Sequence, residues 1–171
     1  MKTQKGFTLI ELIIVIVVLG ILAVTAAPQF VNFSGDARES TLDGLKGAMN
    51  GAGTAVYAKA SIAGKEDDAD DGAGTPDYQT VTVDSTAVEI VYGYPAATVD
   101  GIVEVLEITT GDWDIRYENE TDVTTPGTVK FSPAGLNSPN TNFADITDCF
   151  VSYAEATATA PPTITVDNTN C

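Results

Sequence analysis

Glu11 is the residue that most invites a chemical explanation. It is the single charge in an otherwise apolar run from Phe7 to Ala27. A carboxylate at the middle of a bilayer costs roughly 2.5–3.5 kcal/mol, and less near the edge. No Lys, Arg or His follows within the run to pair with it. One reading is an edge carboxylate hydrated by headgroup water, or simply protonated. The other is a partner of a different kind, a backbone α-amino group at the same depth. Cleavage between Gly6 and Phe7 would create that amine. Three further sets of residues qualify as candidates. Cys149 and Cys171 are the only cysteines, too few for a Cys-cluster metal site. Asp67, Asp68, Asp70 and Asp71 precede Gly72 in an acidic run. They suggest Ca²⁺, but EF-hand spacing fails because Ala69 and Tyr78 occupy ligand positions. A solvated loop is the better account. Asp112 and Asp114 are a carboxylate pair with no nucleophile motif beside them, and solvated strand-edge acids explain them better than acid–base catalysis.

Composition narrows the classes. The 171 residues hold 8 Lys+Arg, 24 Asp+Glu and no His, for a formal charge of -16. Absence of His removes His-dependent triads and almost all imidazole metal sites. The acidic balance, with a pI of 4.1, opposes binding to nucleic acid. No cofactor motif is present, and nothing points to an enzyme.

The elements that must position these residues divide the chain unevenly. At about 1.5 Å per residue, a helix over Phe7–Ala27 reaches roughly 30 Å, the thickness of a bilayer core. Lys2 and Lys5 precede it, which predicts a cytoplasmic start and an external remainder. A secretory signal peptide cleaved near Ala23–Ala27 and a plain single-span anchor are competing explanations. The anchor does not account for Glu11. Further on, Leu42, Leu45, Met49, Ala52, Val56 and Ala60 recur at helical spacing. Asp36 and Glu39 resemble a capping box. Gly44, Gly47, Gly51 and Gly53 each weaken a helix by up to about 1 kcal/mol, so either close packing on a sheet offsets them or the helix is locally loose. One long helix is expected from Thr8 to Ser61, bent at Pro28.

The stretch 64–78 is an Asp- and Gly-rich connector. Strands are expected at Thr80–Asp84, Ala87–Tyr92, Ile102–Thr109, Trp113–Glu118, Thr128–Ser132 and Cys149–Tyr153, with turns at Gly111–Asp112 and Pro126–Gly127. The sum is an α+β fold, a helix on an antiparallel sheet. In an external compartment Cys149 and Cys171 can form a disulfide, worth roughly 3 kcal/mol on the chain-entropy model. In a reducing one they stay free thiols. Asn32-Phe33-Ser34 and Asn119-Glu120-Thr121 match a glycosylation sequon, a weak pattern.

Lys5-Gly6-Phe7-Thr8-Leu9-Ile10-Glu11, followed by the apolar run and Pro28, resembles the processing and assembly signature of type IV pilins. The six-residue leader and Phe7 agree with the type IVa class. Leu19–Phe30 with Asp36-Ala37-Arg38, Tyr57–Gly64 and Val91–Ala97 are similar to mannose-sensitive haemagglutinin pilins. The resemblance implies that a prepilin peptidase cuts after Gly6 and that Phe7 becomes the N-methylated first residue. It implies that Glu11 pairs with the α-amine of Phe7 on a neighbour, that Gly20 and Pro28 soften the helix, and that Cys149–Cys171 bounds an exposed C-terminal region.

The implied organisation is a leader over 1–6, a transmembrane and assembly helix over 7–28, an amphipathic half over 29–62 and a β-sheet domain over 63–171. Loss of Lys2 and Lys5 would take the charge from -16 to -18. The implied partners are copies of itself in a helical filament, the inner membrane before assembly, the peptidase, the assembly machinery and a surface or glycan receptor. The implied localisation is the inner membrane, then an extracellular pilus. A pseudopilin of a secretion system and a membrane-anchored binding domain are the alternatives.

Overall fold

The computed structural model describes residues 6–69, 77–109, 111–120, 125–137 and 142–171, with the backbone alone for 25–32. Helix α1 runs Leu9–Ala63. It is continuous through Asp36 and Glu39, which corrects the capping box expected there. A cap satisfies free N–H groups, and inside a helix those groups already bond to carbonyls one turn back. The side chain of Pro28, where a bend is expected, lies outside the described residues.

The chain divides into two compact units, Met1–Ala37 and Arg38–Cys171. In the first, every described side chain of α1 from Leu9 to Val24 is exposed. No helix among the described residues is long and apolar enough to cross a membrane. The described apolar side chains stop at Val24, short of the roughly 20 residues a crossing needs.

The second unit is the C-terminal part of α1 packed against two antiparallel sheets. The first sheet is β1 (Gln79–Val83), β2 (Thr86–Val91) and β3 (Tyr94–Pro95), in that order. Two tight turns close it, at Asp84–Ser85 and Tyr92–Gly93. All four residues have positive φ, the geometry whose twist matches a two-residue hairpin. The second sheet is β4 (Trp113–Glu118), β5 (Thr128–Pro133), β6 (Phe150–Ala154) and β7 (Thr163–Asp167), again in sequence order. The helix stripe serves both sheets. Leu42, Leu45 and Met49 enter a core with Val129, Phe131, Val151 and Tyr153. Val56 and Ala60 pack with Val81, Val88 and Ile90. Removing a side chain such as Phe131, fully buried here, costs roughly 3–5 kcal/mol.

The strand expected at Ile102–Thr109 is not one. Residues 99–103 form a distorted helical turn, and Leu106 N–H donates to the Ile102 carbonyl at 3.2 Å. Ile102 and Val103 are consecutive and both buried, while Glu104 and Glu107 are exposed. Adjacent buried residues with polar ones three apart follow a helical period, not a strand's. Gly101 makes the turn feasible, since a Cβ there would lie 2.3 Å from the Ala96 carbonyl oxygen. This turn separates the sheets, so the single expected sheet becomes two. Strands β3 and β7 have no counterpart in the sequence reading.

Close packing explains only one of the four helix glycines. Gly53 is buried, with a virtual Cβ 3.8 Å from the Tyr94 ring. Gly44, Gly47 and Gly51 face open space.

Two polar contacts join the sheets. Tyr153 Oη donates to the Pro95 carbonyl at 2.6 Å. Glu155 is buried and accepts from Ala97 N–H at 2.9 Å and Gly127 N–H at 2.7 Å, one with each oxygen. Burial raises the carboxyl pKa of Glu155 above its ordinary 4.5, against the opposing pull of those two donors. Burial likewise raises Glu89, whose carboxylate accepts from Thr98 Oγ1.

Glu155→Gln places an amide NH₂ against one of the two N–H donors and is expected to cost about 1–3 kcal/mol, read by urea unfolding in mild detergent. Because Glu89 binds its proton more tightly when folded, its stabilising effect is fully present below pH 4.5. That effect fades as pH rises through the raised value. The urea midpoint of the wild type relative to Glu89→Gln should therefore fall between pH 4 and pH 7. Gly47→Ala, with open space for its methyl, should stabilise by about 0.5–1 kcal/mol.

Candidate assembly helix and C-terminal clamp

Gly6 and Phe7 precede the helix and are exposed, Phe7 at 91 %. Glu11 lies in the first turn of α1. Its Oε2 accepts from the Thr8 N–H at 2.8 Å and from Thr8 Oγ1 at 2.7 Å. Thr8-x-x-Glu11 is thus the capping pair of the long helix, with the acid also favoured by the positive end of the helix dipole. The sequence signal, a Thr three residues before a Glu at the head of an apolar run, is legible in retrospect. It provides a hydrogen-bond partner within the chain, and both bonds use one carboxylate oxygen.

Around the acid the surface is apolar on every side. Leu9, Ile10, Leu12, Ile13, Ile14 and Val15 are each at least half exposed. A helix apolar all round is stable only in lipid or among other helices. Gly20 is exposed too, with nothing near its virtual Cβ.

At the other end of the chain, Cys149 and Cys171 form a disulfide with Cα atoms 4.9 Å apart. Cys149 joins the main core, and Cys171 packs against it. Arg38 was not singled out by sequence reasoning for any contact of its own, yet its Nη1 donates to the Cys171 carbonyl at 2.7 Å. Cys171 is therefore tied through its sulfur to the residue preceding β6 and through its carbonyl to the helix. Within the closed loop, β7 pairs with β6 from Phe150↔Asp167 to Ala154↔Thr163. Beneath it, Ser132 Oγ donates to the Cys149 carbonyl at 3.0 Å, and Lys130 Nζ donates to the Ile146 carbonyl at 2.7 Å. The C-terminal region is a sheet edge with a clamp, not a loose tail.

The remaining candidates are not gathered into a site. Asp70 and Asp71 lie outside the described residues. Among the described residues no group of three or more acidic, His or Cys side chains converges where a metal could sit. Asp112 is exposed in the turn before β4, and Asp114 lies within β4 opposite Ser132.

The prokaryotic N-terminal methylation motif matches residues 1–27, the segment that holds Gly6, Phe7 and Glu11. The chain is 44% identical over 61 residues to the type IV narrow pilus major component PilA5 of Thermus thermophilus, covering 36% of this chain and 49% of that protein. It is 48% identical over 46 residues to the type IV major fimbrial protein FimA of Dichelobacter nodosus, covering 27% and 30%. A fimbrial protein of Pseudomonas aeruginosa is 59% identical over 34 residues, covering 20% and 22%. The methylation motif and these relatives support a type IV pilin. The chain spans about half or less of the length of these relatives. No solved structure matches it. The helix on antiparallel sheets with a C-terminal disulfide is consistent with the pilin fold, and the pilin family is a structural one.

Replacing both cysteines with serine should cost the folded unit about 2–5 kcal/mol. Arg38→Ala removes a charge-assisted hydrogen bond and should cost about 1.5–3 kcal/mol. Unfolding followed by fluorescence of the single Trp113 checks both.

Proposed function

We propose that this chain is a major structural subunit of an extracellular type IV pilus that serves surface attachment and biofilm formation. The observation that carries the reading is an apolar helix, exposed on all sides, with one acid in its first turn. Lipid and a bundle of like helices are about equally apolar, so polar terms and packing must set the register of assembly. In this reading residues 1–6 are a leader removed by a prepilin peptidase. Phe7 becomes the methylated first residue, and residues 7–28 hold the precursor in the inner membrane. Glu11 accepts from the Phe7 amine of a neighbour, a head-to-tail contact that builds a helical filament when it does not close. Gly20 and Pro28 let the helix yield during that step. Residues 29–62 are the amphipathic half of the long helix, and the β-sheet domain, 63–171, faces solvent. Its acidic surface keeps filaments soluble. Assembly machinery drives the transfer, and a surface or glycan receptor is the adhesive partner. The type IVa class and the mannose-sensitive haemagglutinin pilins are the kinship this proposal adopts.

Mass spectrometry of filaments sheared from the native host should find a subunit beginning at N-methylated Phe7, and a subunit beginning at Met1 overturns the proposal. Glu11→Ala should insert into the membrane at wild-type level while surface filaments disappear from electron micrographs. Glu11→Gln retains a partial acceptor and should give fewer filaments rather than none.

A further inference from the structure

An open cavity of about 310 Å³ lies between the C-terminal turns of α1, the β2–β3 hairpin and the stretch 156–161. Its distinctive lining is three phenol rings, Tyr57, Tyr92 and Tyr94, and two carboxylates, Glu66 and Asp67. That volume lies at the lower end of small-molecule sites.

The walls are held in place by the fold. Tyr57 and Tyr94 stack with ring centroids 4.6 Å apart and planes at 27°. Tyr92 and Gly93 form the hairpin turn with φ of 48° and 79°. A Cβ on Gly93 would lie 2.9 Å from the Tyr57 ring and 3.1 Å from the Glu66 Cα. Only glycine permits the helix ring, the hairpin and the acidic loop to meet this closely. Tyr92 N–H donates to the Asp68 carbonyl at 3.1 Å and ties the loop to the hairpin. On the far side Thr157 and Ala160 exchange backbone hydrogen bonds at 2.9 and 3.3 Å, which stiffens that wall.

The electrostatics are one-sided. Among the described residues no Lys or Arg lines the cavity. Lys65, adjacent to Glu66 in sequence, donates instead to the Thr80 carbonyl at 2.7 Å. Glu66 Oε2 is shielded from solvent and has no hydrogen-bond partner among the described residues. A buried carboxylate oxygen left without a donor is costly, and a positive charge in the adjoining cavity would offset part of that cost. Aromatic faces beside it favour a weakly hydrated cation over a strongly hydrated metal ion, because ring attraction is greatest for a charge that gives up its water readily.

We propose that the cavity bounded by Tyr57, Tyr92, Tyr94, Glu66 and Asp67 binds an alkylated ammonium group. The rings supply cation–π attraction, and the two carboxylates supply the countercharge. This goes beyond filament assembly and does not depend on it, since every residue named lies outside the apolar run.

The test titrates choline and its neutral isostere 3,3-dimethylbutan-1-ol into the full chain in a neutral, choline-free detergent, followed by NMR of the tyrosine ring signals. Choline should saturate, and the isostere should bind about tenfold more weakly or worse. Glu66→Gln and Tyr57→Leu should each weaken choline binding about fivefold or more, with circular dichroism confirming the wild-type fold. The water-soluble headgroup sn-glycero-3-phosphocholine serves as a second arm, because the apolar helix would itself hold the chain on any vesicle. Binding of both sources assigns an accessible headgroup, and binding of free choline alone assigns a soluble cation or a cationic side chain, either of which supports the proposal. Equal affinity for the neutral isostere, no saturation by choline, stronger binding of a neutral monosaccharide, or an unchanged affinity in a folded Glu66→Gln variant overturns it. The isostere comparison uses wild-type protein, so it decides the matter even if a variant fails to fold.

Discussion

A helix that is apolar on every face has no way to satisfy itself in water. From Leu9 to Val24 each described side chain of α1 stands exposed, so the chain as a single molecule leaves its greasiest stretch without a cover. This constraint orders the rest of the structure. It requires a second environment, and it makes any polar group at the head of the helix matter out of proportion to its size. Glu11 is that group. Within one chain it bonds to Thr8 through a single carboxylate oxygen, which keeps the first turn closed. A polar contact of that kind weighs most where the surroundings lack water.

The folded unit solves the opposite problem, which is to bury one face of a helix on two sheets that differ in size. A single stripe is divided between them, Leu42 to Met49 for one and Val56 to Ala60 for the other. Apolar packing alone does not determine how the sheets meet. Tyr153, near the end of β6, and Glu155, just beyond it, make directional hydrogen bonds with Pro95, Ala97 and Gly127. Fully satisfied buried polar groups specify geometry more sharply than contact area does. The acid is retained at the joint despite its burial because two backbone donors meet it.

Loops and ends carry the features that could meet other molecules. The disulfide, the Arg38 hydrogen bond and the β6–β7 pairing turn the C-terminal residues into a firm edge. The β2–β3 hairpin and the acidic loop form a cavity against α1. In both places a rigid scaffold presents irregular segments, the usual division of labour between support and recognition.

Local signals in the sequence were enough for the helix, for most strands and for the motif around Gly6, Phe7 and Glu11. They rest on periodicity, on composition and on residue types at short spacing, and such features do not need distant partners. The α+β class and the Cys149–Cys171 pair followed from the same economy, with only two cysteines to join. The strand assigned to Ile102–Thr109 failed because apolar residues in both helical turns and strands can be mixed with two glutamates, and Gly101's close approach to Ala96 decides between them. Strands β3 and β7 were missed because each is short and defined by its neighbour. For the glycines of α1 the sequence leaves packing and a loose helix both open; three of them face open space and only Gly53 meets a ring. Likewise Arg38, Glu155 and the tyrosine cavity depend on contacts between residues far apart in the chain. Periodicity records which face of an element is buried, but only the folded chain determines what that face meets.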